Sequence, residues 1–222
     1  MLKTPHWLLA GCAGAGKALC VCLGVLVGAS GPASAHPHSC VAMDTTVLYD
    51  KGAFTGLQLQ WTFDESYTQM AVEGQDKNKD GKYDRSELAE LAQVNMEALK
   101  EVDYFTVAAI AGQPVKLGEA KDYWFDHKDG ILSLHFTLPF AAPVPVEDKT
   151  LALAVQDPSN MVAFGLPRAG QAVHLAGNAP KGCRLKVEMP DKDEQAVTNQ
   201  LLDALGCAIA IPRAVTVACN AP

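Results

Sequence analysis

Apolar and polar residues alternate with a period of two along much of this 222-residue chain. Val47 and Tyr49, then Leu57, Leu59, Trp61 and Phe63, recur at every second position and predict two strands, each with one buried face. Lys51-Gly52 and Gly56 supply turn chemistry between them. Tyr104 to Ala111 predicts a further strand, Gly112-Gln113-Pro114 a turn, and Tyr123 to Asp126 a strand that runs into Asp129-Gly130, a hairpin signal. Leu132, Leu134, Phe136 and Leu138 then face one way while Ser133, His135 and Thr137 face the other. Pro139, Pro143 and Pro145 mark an extended loop. Leu151 to Gln156 is a strand stopped at Asp157-Pro158. Val173 to Leu175, Arg184 to Glu188 and Ala214 to Ala218 complete the set, with a short helix near Glu194 to Leu205.

The period changes in one region. Leu88, Leu91, Ala92, Met96 and Leu99 recur at steps of three and four, the spacing of an amphipathic helix. Glu65 to Gln75 predicts a shorter helix with Tyr67, Met70 and Ala71 on one side. The pattern therefore predicts an α+β, mainly β protein: an antiparallel β-sandwich with a helix–loop–helix unit inserted at about 64–100. No internal repeat or linker interrupts the remainder, which reads as one domain from residue 36 to 222.

Between the two helices lies Asp76-Lys77-Asn78-Lys79-Asp80-Gly81-Lys82-Tyr83-Asp84-Arg85-Ser86-Glu87. Asp76, Asn78 and Asp80 offer oxygens from positions 1, 3 and 5, and Gly81 fits a sharp turn. Lys82 offers its backbone carbonyl, Asp84 a ligand at position 9, and Glu87 a bidentate carboxylate. This is the pattern of an EF-hand calcium loop. The alternative is an acidic Asx turn ahead of a capped helix, which favours the same residue types. A single loop, with Lys77, Lys79, Lys82 and Arg85 among its acids, predicts a weak site, about 10⁻⁴ to 10⁻³ M, of the kind found in extracellular modules.

Composition and leader give the compartment. Lys3 and His6 precede an apolar run from Ala18 to Ala29, no acidic residue occurs before Asp44, and Ala33-Ser34-Ala35 is an A-x-A cleavage site. The expectation is a signal peptide over residues 1–35, cut after Ala35, and a periplasmic product without a membrane span. Leu9-Ala10-Gly11-Cys12 spells a lipoprotein box, but too few apolar residues precede it. Removing Lys3 and Lys17 leaves 16 of the 18 basic residues against 25 acidic ones, a formal charge of −9. That balance argues against nucleic acid and favours cations as partners. Of seven cysteines, Cys40, Cys183, Cys207 and Cys219 remain, an even number in an exported chain. Three disulfide connectivities are open; the strand-like runs beside Cys183 and Cys219 favour pairing those two.

Cleavage after Ala35 would expose His36-Pro37-His38, with an α-amino group and an imidazole on His36 and a further imidazole on His38. Such nitrogens suit zinc, nickel, cobalt or copper. Pro37 lacks the N–H that a square-planar amide-chelating terminus needs. The alternative is a plain polar terminus. His127, His135 and His174 read individually as surface histidines. No G-x-S-x-G, no cysteine–histidine pattern, no paired carboxylates and no glycine-rich phosphate loop stand out, so the expectation is not an enzyme.

Several stretches taken together resemble a known family: His36-Pro37-His38, Trp61-Thr62-Phe63-Asp64, the loop Asp76 to Glu87, Asp103-Tyr104-Phe105, Phe136-Thr137-Leu138-Pro139 with Pro143, and Asp157-Pro158. In that order they are similar to the bacterial domain-of-unknown-function family 1007, described as periplasmic components of an uncharacterised ABC-type transport system. The resemblance implies an exported, non-enzymatic protein that accompanies an inner-membrane permease of the nickel/cobalt type, and it strengthens His36 and His38 as metal ligands. Ser39-Cys40 departs from the apolar or aromatic residue expected there. A calcium-stabilised structural or protein-interaction module with no transition-metal role is the rival expectation.

Overall fold

Residues 37–146 and 149–219 are described by a computed structural model; the leader, its cleavage site and His36 lie outside the described residues. Strand β1 (Ser39–Asp50) turns through Lys51-Gly52, φ 45° and 85°, into β2 (Ala53–Phe63). These positive φ values are those of a two-residue hairpin turn matched to strand twist. Asp129-Gly130, φ 53° and 81°, makes the same turn between β5 (Lys121–Lys128) and β6 (Ile131–Pro145). Leu132, Leu134, Phe136 and Leu138 are all buried, as the alternation predicts.

β1, β2, β5 and β6 form a seven-stranded sheet with β8 (Val162–Pro167), β9 (Val173–Leu175) and β11 (Ile209–Ala210), in the order β11-β8-β1-β2-β6-β5 with β9 also on β1. The second sheet runs β10-β12-β7-β3-β4, from β10 (Cys183–Glu188), β12 (Ala214–Cys219), β7 (Thr150–Val155), β3 (Thr106–Ile110) and β4 (Gln113–Pro114). Leu57, Leu59 and Phe136 from the first sheet and Leu151, Leu153 and Val217 from the second belong to one core cluster. Among the described residues the fold is mainly β, with two sheets and three α-helices.

Four expectations are corrected. The sheet is not purely antiparallel, because β8 and β9 both pair with β1 in parallel. β1 begins at Ser39 rather than near Val47, with Val41, Met43, Thr45 and Val47 inward. Pro139 to Pro145 is strand rather than loop. Proline cannot donate but still accepts: Pro139 O takes the Gly118 N–H, and Val144 and Pro145 pair with Phe54 and Ala53. Gly56 permits the register shift on the facing strand, where a Cβ would lie 2.6 Å from Leu138 O. Finally, the strand foreseen from Tyr104 begins only at Thr106. Asp103, Tyr104 and Phe105 have φ of 49°, 53° and 49°, a left-handed turn that carries strain in residues with a Cβ. It is held by Tyr104, which is buried and accepts the Ala120 N–H at its hydroxyl, while Thr106 Oγ1 donates to Tyr104 O.

Two disulfides close the fold, Cys40–Cys207 and Cys183–Cys219. The second joins directly paired positions of β10 and β12, as the flanking runs predict. The first lies in a smaller cluster with Ala163, Leu202 and Ile209 beneath helix α3 (Lys192–Ala204). Such bonds persist in oxidising, exported compartments. No helix among the described residues is long and apolar enough to cross a membrane.

Candidate metal centre

Helix α1 (Glu65–Val72) starts where β2 ends, and Asp64 is the junction. Its Oδ1 accepts the Tyr67 N–H at 2.8 Å, and its Oδ2 accepts the Cys40 N–H and the Ser39 hydroxyl, both at 2.7 Å. Burial alone would raise this carboxyl; those donors outweigh it and hold its pKa below the usual aspartate range. Asp64, just before the first helical residue, is an N-cap signal that hydrophobic periodicity does not carry. The buried side chains of α1 are Thr68 and Val72, and Thr68 Oγ1 accepts the Leu132 N–H at 3.1 Å. Met70, expected on the packed side, is 67% exposed. The helix turns its β-branched residues to the sheet, and Gly74, φ 77°, follows its early end.

Helix α2 (Ala89–Lys100) buries Ala92 and Met96 and is tied to α1 by the Tyr67 hydroxyl donating to Asn95 Oδ1 at 3.1 Å. The twelve-residue loop Asp76 to Glu87 thus lies between two helices, and its side-chain oxygens hold its own backbone. Asp76 accepts from the N–H groups of Asp80 and Gly81, Asn78 from Asp80, and Asp80 from Lys82. Asp84 accepts the N–H groups of Ser86 and Glu87 and the Ser86 hydroxyl, and these bonds, the hydroxyl first, hold its carboxyl below its ordinary value. Gly81 turns at φ 79°.

Glu87 differs from the other acids in being buried, with 6% of its surface exposed. Its Oε1 accepts the N–H groups of Lys77 and Asn78 at 2.9 and 3.1 Å, and Oε2 accepts the Asp84 N–H at 3.2 Å. One carboxylate therefore joins the beginning and the end of the loop. Two of the basic neighbours point elsewhere: Lys77 pairs with Glu90 at 3.6 Å, and the Arg85 guanidinium stands 4.3 Å from the Trp124 ring centroid. Trp124 in turn stacks on His135, and Tyr83 packs edge-on to His127. Loop residues thus dock on β5 and β6.

Among the described residues, no three His, Cys, Asp or Glu side chains converge into a group of metal-holding dimensions. Within the loop the oxygens are turned onto backbone N–H groups instead. His38 is exposed, beside a shallow cleft it shares with Asp64 and Glu65, and its N–H donates to Met161 O. His127, His135 and His174 occupy separate positions on β5, β6 and β9. His174 Nε2 lies 3.4 Å from Asp44, and His135 Nε2 is buried without a hydrogen-bond partner among the described residues. Asp157, a second buried carboxylate, accepts from Ser159, Met161 and Val162 and fixes the turn that meets His38.

The sequence profile of the family described as protein of unknown function (DUF1007) matches residues 21–213. The chain belongs to that family. The DUF1007 match takes in the first sheet, all of the second but β12, the two-helix insertion and three of the four disulfide-forming cysteines. An uncharacterized protein of Haemophilus influenzae is 26% identical to it over 162 residues, 72% of this chain and 76% of its own length. No solved structure matches.

Proposed function

We propose that this DUF1007 member is an exported, non-enzymatic calcium-binding protein in which Asp76, Asn78, Asp80, the Lys82 carbonyl, Asp84 and Glu87 hold one Ca²⁺. The observation that carries this reading is Glu87, a buried carboxylate that bridges both ends of a loop rich in oxygen donors and has no cationic side chain as partner among the described residues. Its contacts are compatible with a metal, because a carboxylate has about four lone-pair sites and three are occupied by N–H groups. The same holds for Asp76, Asn78, Asp80 and Asp84, whose Asx-turn bonds shape the loop while leaving acceptor capacity. The ion then serves as a clip, holding α1, α2 and the docked Tyr83 and Arg85 against the sheet.

Thermal melting in calcium and in chelator tests this. At 10 mM calcium and a Kd of about 10⁻⁴ M, linkage gives about 2.7 kcal/mol, or a rise in Tm of about 5–10 °C for a chain of this size. Equal melting in both conditions would contradict it.

The wider role we propose, on the strength of the family resemblance, is that of a metal-binding accessory to an inner-membrane transporter of divalent transition metals, with His36 and His38 as captors of nickel, cobalt, zinc or copper. The exposure of His38 and its nearness to Asp64 and Glu65 suit a capture site. The metal content of the purified exported protein decides between this role and a purely calcium-stabilised interaction module. Transition metal retained by wild type and lost in His36→Ala/His38→Ala supports the first; calcium alone supports the second.

A further inference from the structure

A cavity of about 470 Å³ lies between the two sheets, and none of its lining residues belongs to the loop Asp76 to Glu87. Its walls are Met43, Leu57 and Leu59 from β1 and β2, Leu153 from β7, Phe164 from β8 and Val173 from β9. Its volume falls in the range of about 300–1,000 Å³ typical of small-molecule sites. The cavity opens to solvent past exposed Leu201 and Ile211, so without a ligand water enters it. The space is therefore wetted or filled, and water against apolar walls forfeits the gain of burying them. Leu201 of α3 and Ile211, 42% and 37% exposed, also line it and extend the apolar surface outward.

The polar groups along the lining restrict the occupant. Arg213 is paired through Nη2 with Glu194 and, at 3.5 Å, Asp191, so it brings no net positive charge. Both Asp157 oxygens are taken by Ser159, Met161 and Val162. The Gln156 and Asn160 amides remain as neutral donors and acceptors. An anion therefore finds no unpaired cationic group along the lining, and a cation finds no carboxylate there with a free oxygen. We propose that the inter-sheet cavity binds a neutral amphiphile: one apolar tail between the sheets and one uncharged hydrogen-bonding end at Gln156 and Asn160. This site is independent of calcium.

Delipidated exported protein titrated with the neutral fluorescent probe N-phenyl-1-naphthylamine tests it. The expected result is saturable one-to-one binding, displaced by dodecanol but not by dodecanoate or dodecylamine. Thr45→Phe, which fills the cavity from the inward face of β1, weakens probe binding about tenfold or more. Leu201→Glu, at an exposed helix position that tolerates substitution, does the same by placing a charge against the tail. No saturable binding by folded wild type, or binding indifferent to both substitutions, overturns the site. Displacement by dodecanoate or dodecylamine as effective as by dodecanol overturns the neutral head group.

Discussion

Arg85, at the tenth position of the loop, holds its guanidinium carbon 4.3 Å from the Trp124 ring centroid. Trp124 is stacked on His135, with centroids 4.8 Å apart and planes 3° from parallel. The loop and the outer face of the large sheet therefore meet through one cation and two rings. Burial depresses the His135 pKa and Arg85 depresses it further, against an opposing pull from Asp126. Arg85→Gln should raise the His135 pKa, read from its ring proton shifts against pH, and cost about 0.5–1 kcal/mol for the lost cation–π contact. The sign follows from linkage. A histidine held below its unfolded value of about 6.5 binds protons more readily when unfolded, so stability falls as pH drops below that value, and the variant should lose less. An unchanged His135 titration would separate the loop from the sheet.

Glu87→Gln keeps the size of the side chain but replaces one acceptor oxygen by an amide donor. That amide then faces N–H groups of the loop, either Asp84 or Lys77 and Asn78. The buried mismatch should cost about 1–3 kcal/mol in chelator, and calcium should no longer raise the melting temperature. Denaturant titrations with and without calcium measure both effects.

Asp64→Asn separates capping from charge. Asparagine caps helices as well as aspartate, so the bond from Tyr67 N–H survives. Its amide nitrogen would oppose the Cys40 N–H, at about 1–3 kcal/mol. Asp64 and Asp157 are both held below their ordinary values, in each case because hydrogen bonds overcome burial. Such groups contribute stability that is complete above an unfolded pKa of about 3.9 and is lost as pH falls through the lower folded value. Acid unfolding of Asp64→Asn and Asp157→Asn should therefore be less steep than that of wild type in this range.

The two disulfides should contribute unequally. Cys40–Cys207 spans 167 residues and Cys183–Cys219 spans 36. Chain entropy gives the longer loop the larger effect, by about 1.4 kcal/mol within an overall loss of about 2–5 kcal/mol per bond. Paired serine substitutions compared by guanidinium melts check the order, and peptide mapping checks the pairing.

Features carried by local pattern were readable in the chain. Asp129-Gly130 needs no distant partner to make its turn, and Leu132 to Leu138 show their buried face by alternation alone. The pairing of Cys183 with Cys219 follows from two adjacent strand-like runs. Features built from distant segments were not readable. The contact of Ser39–Ala42 with Val162–Gly165 joins parallel segments over 120 residues apart and leaves no period in either. The strand from Pro139 to Pro145 was masked by prolines that only accept. The spacing of the loop acids was evident, but the burial of Glu87 and the turning of Arg85 toward Trp124 depend on where β5 and β6 lie.

Calorimetric titration of the purified exported protein with calcium, beside Glu87→Gln, tests the central claim most directly. Wild type should bind one ion per chain with a Kd of about 10⁻⁴ to 10⁻³ M, and the variant should give no binding heat. Silence from wild type at millimolar calcium, or the same isotherm from both proteins, would contradict the account.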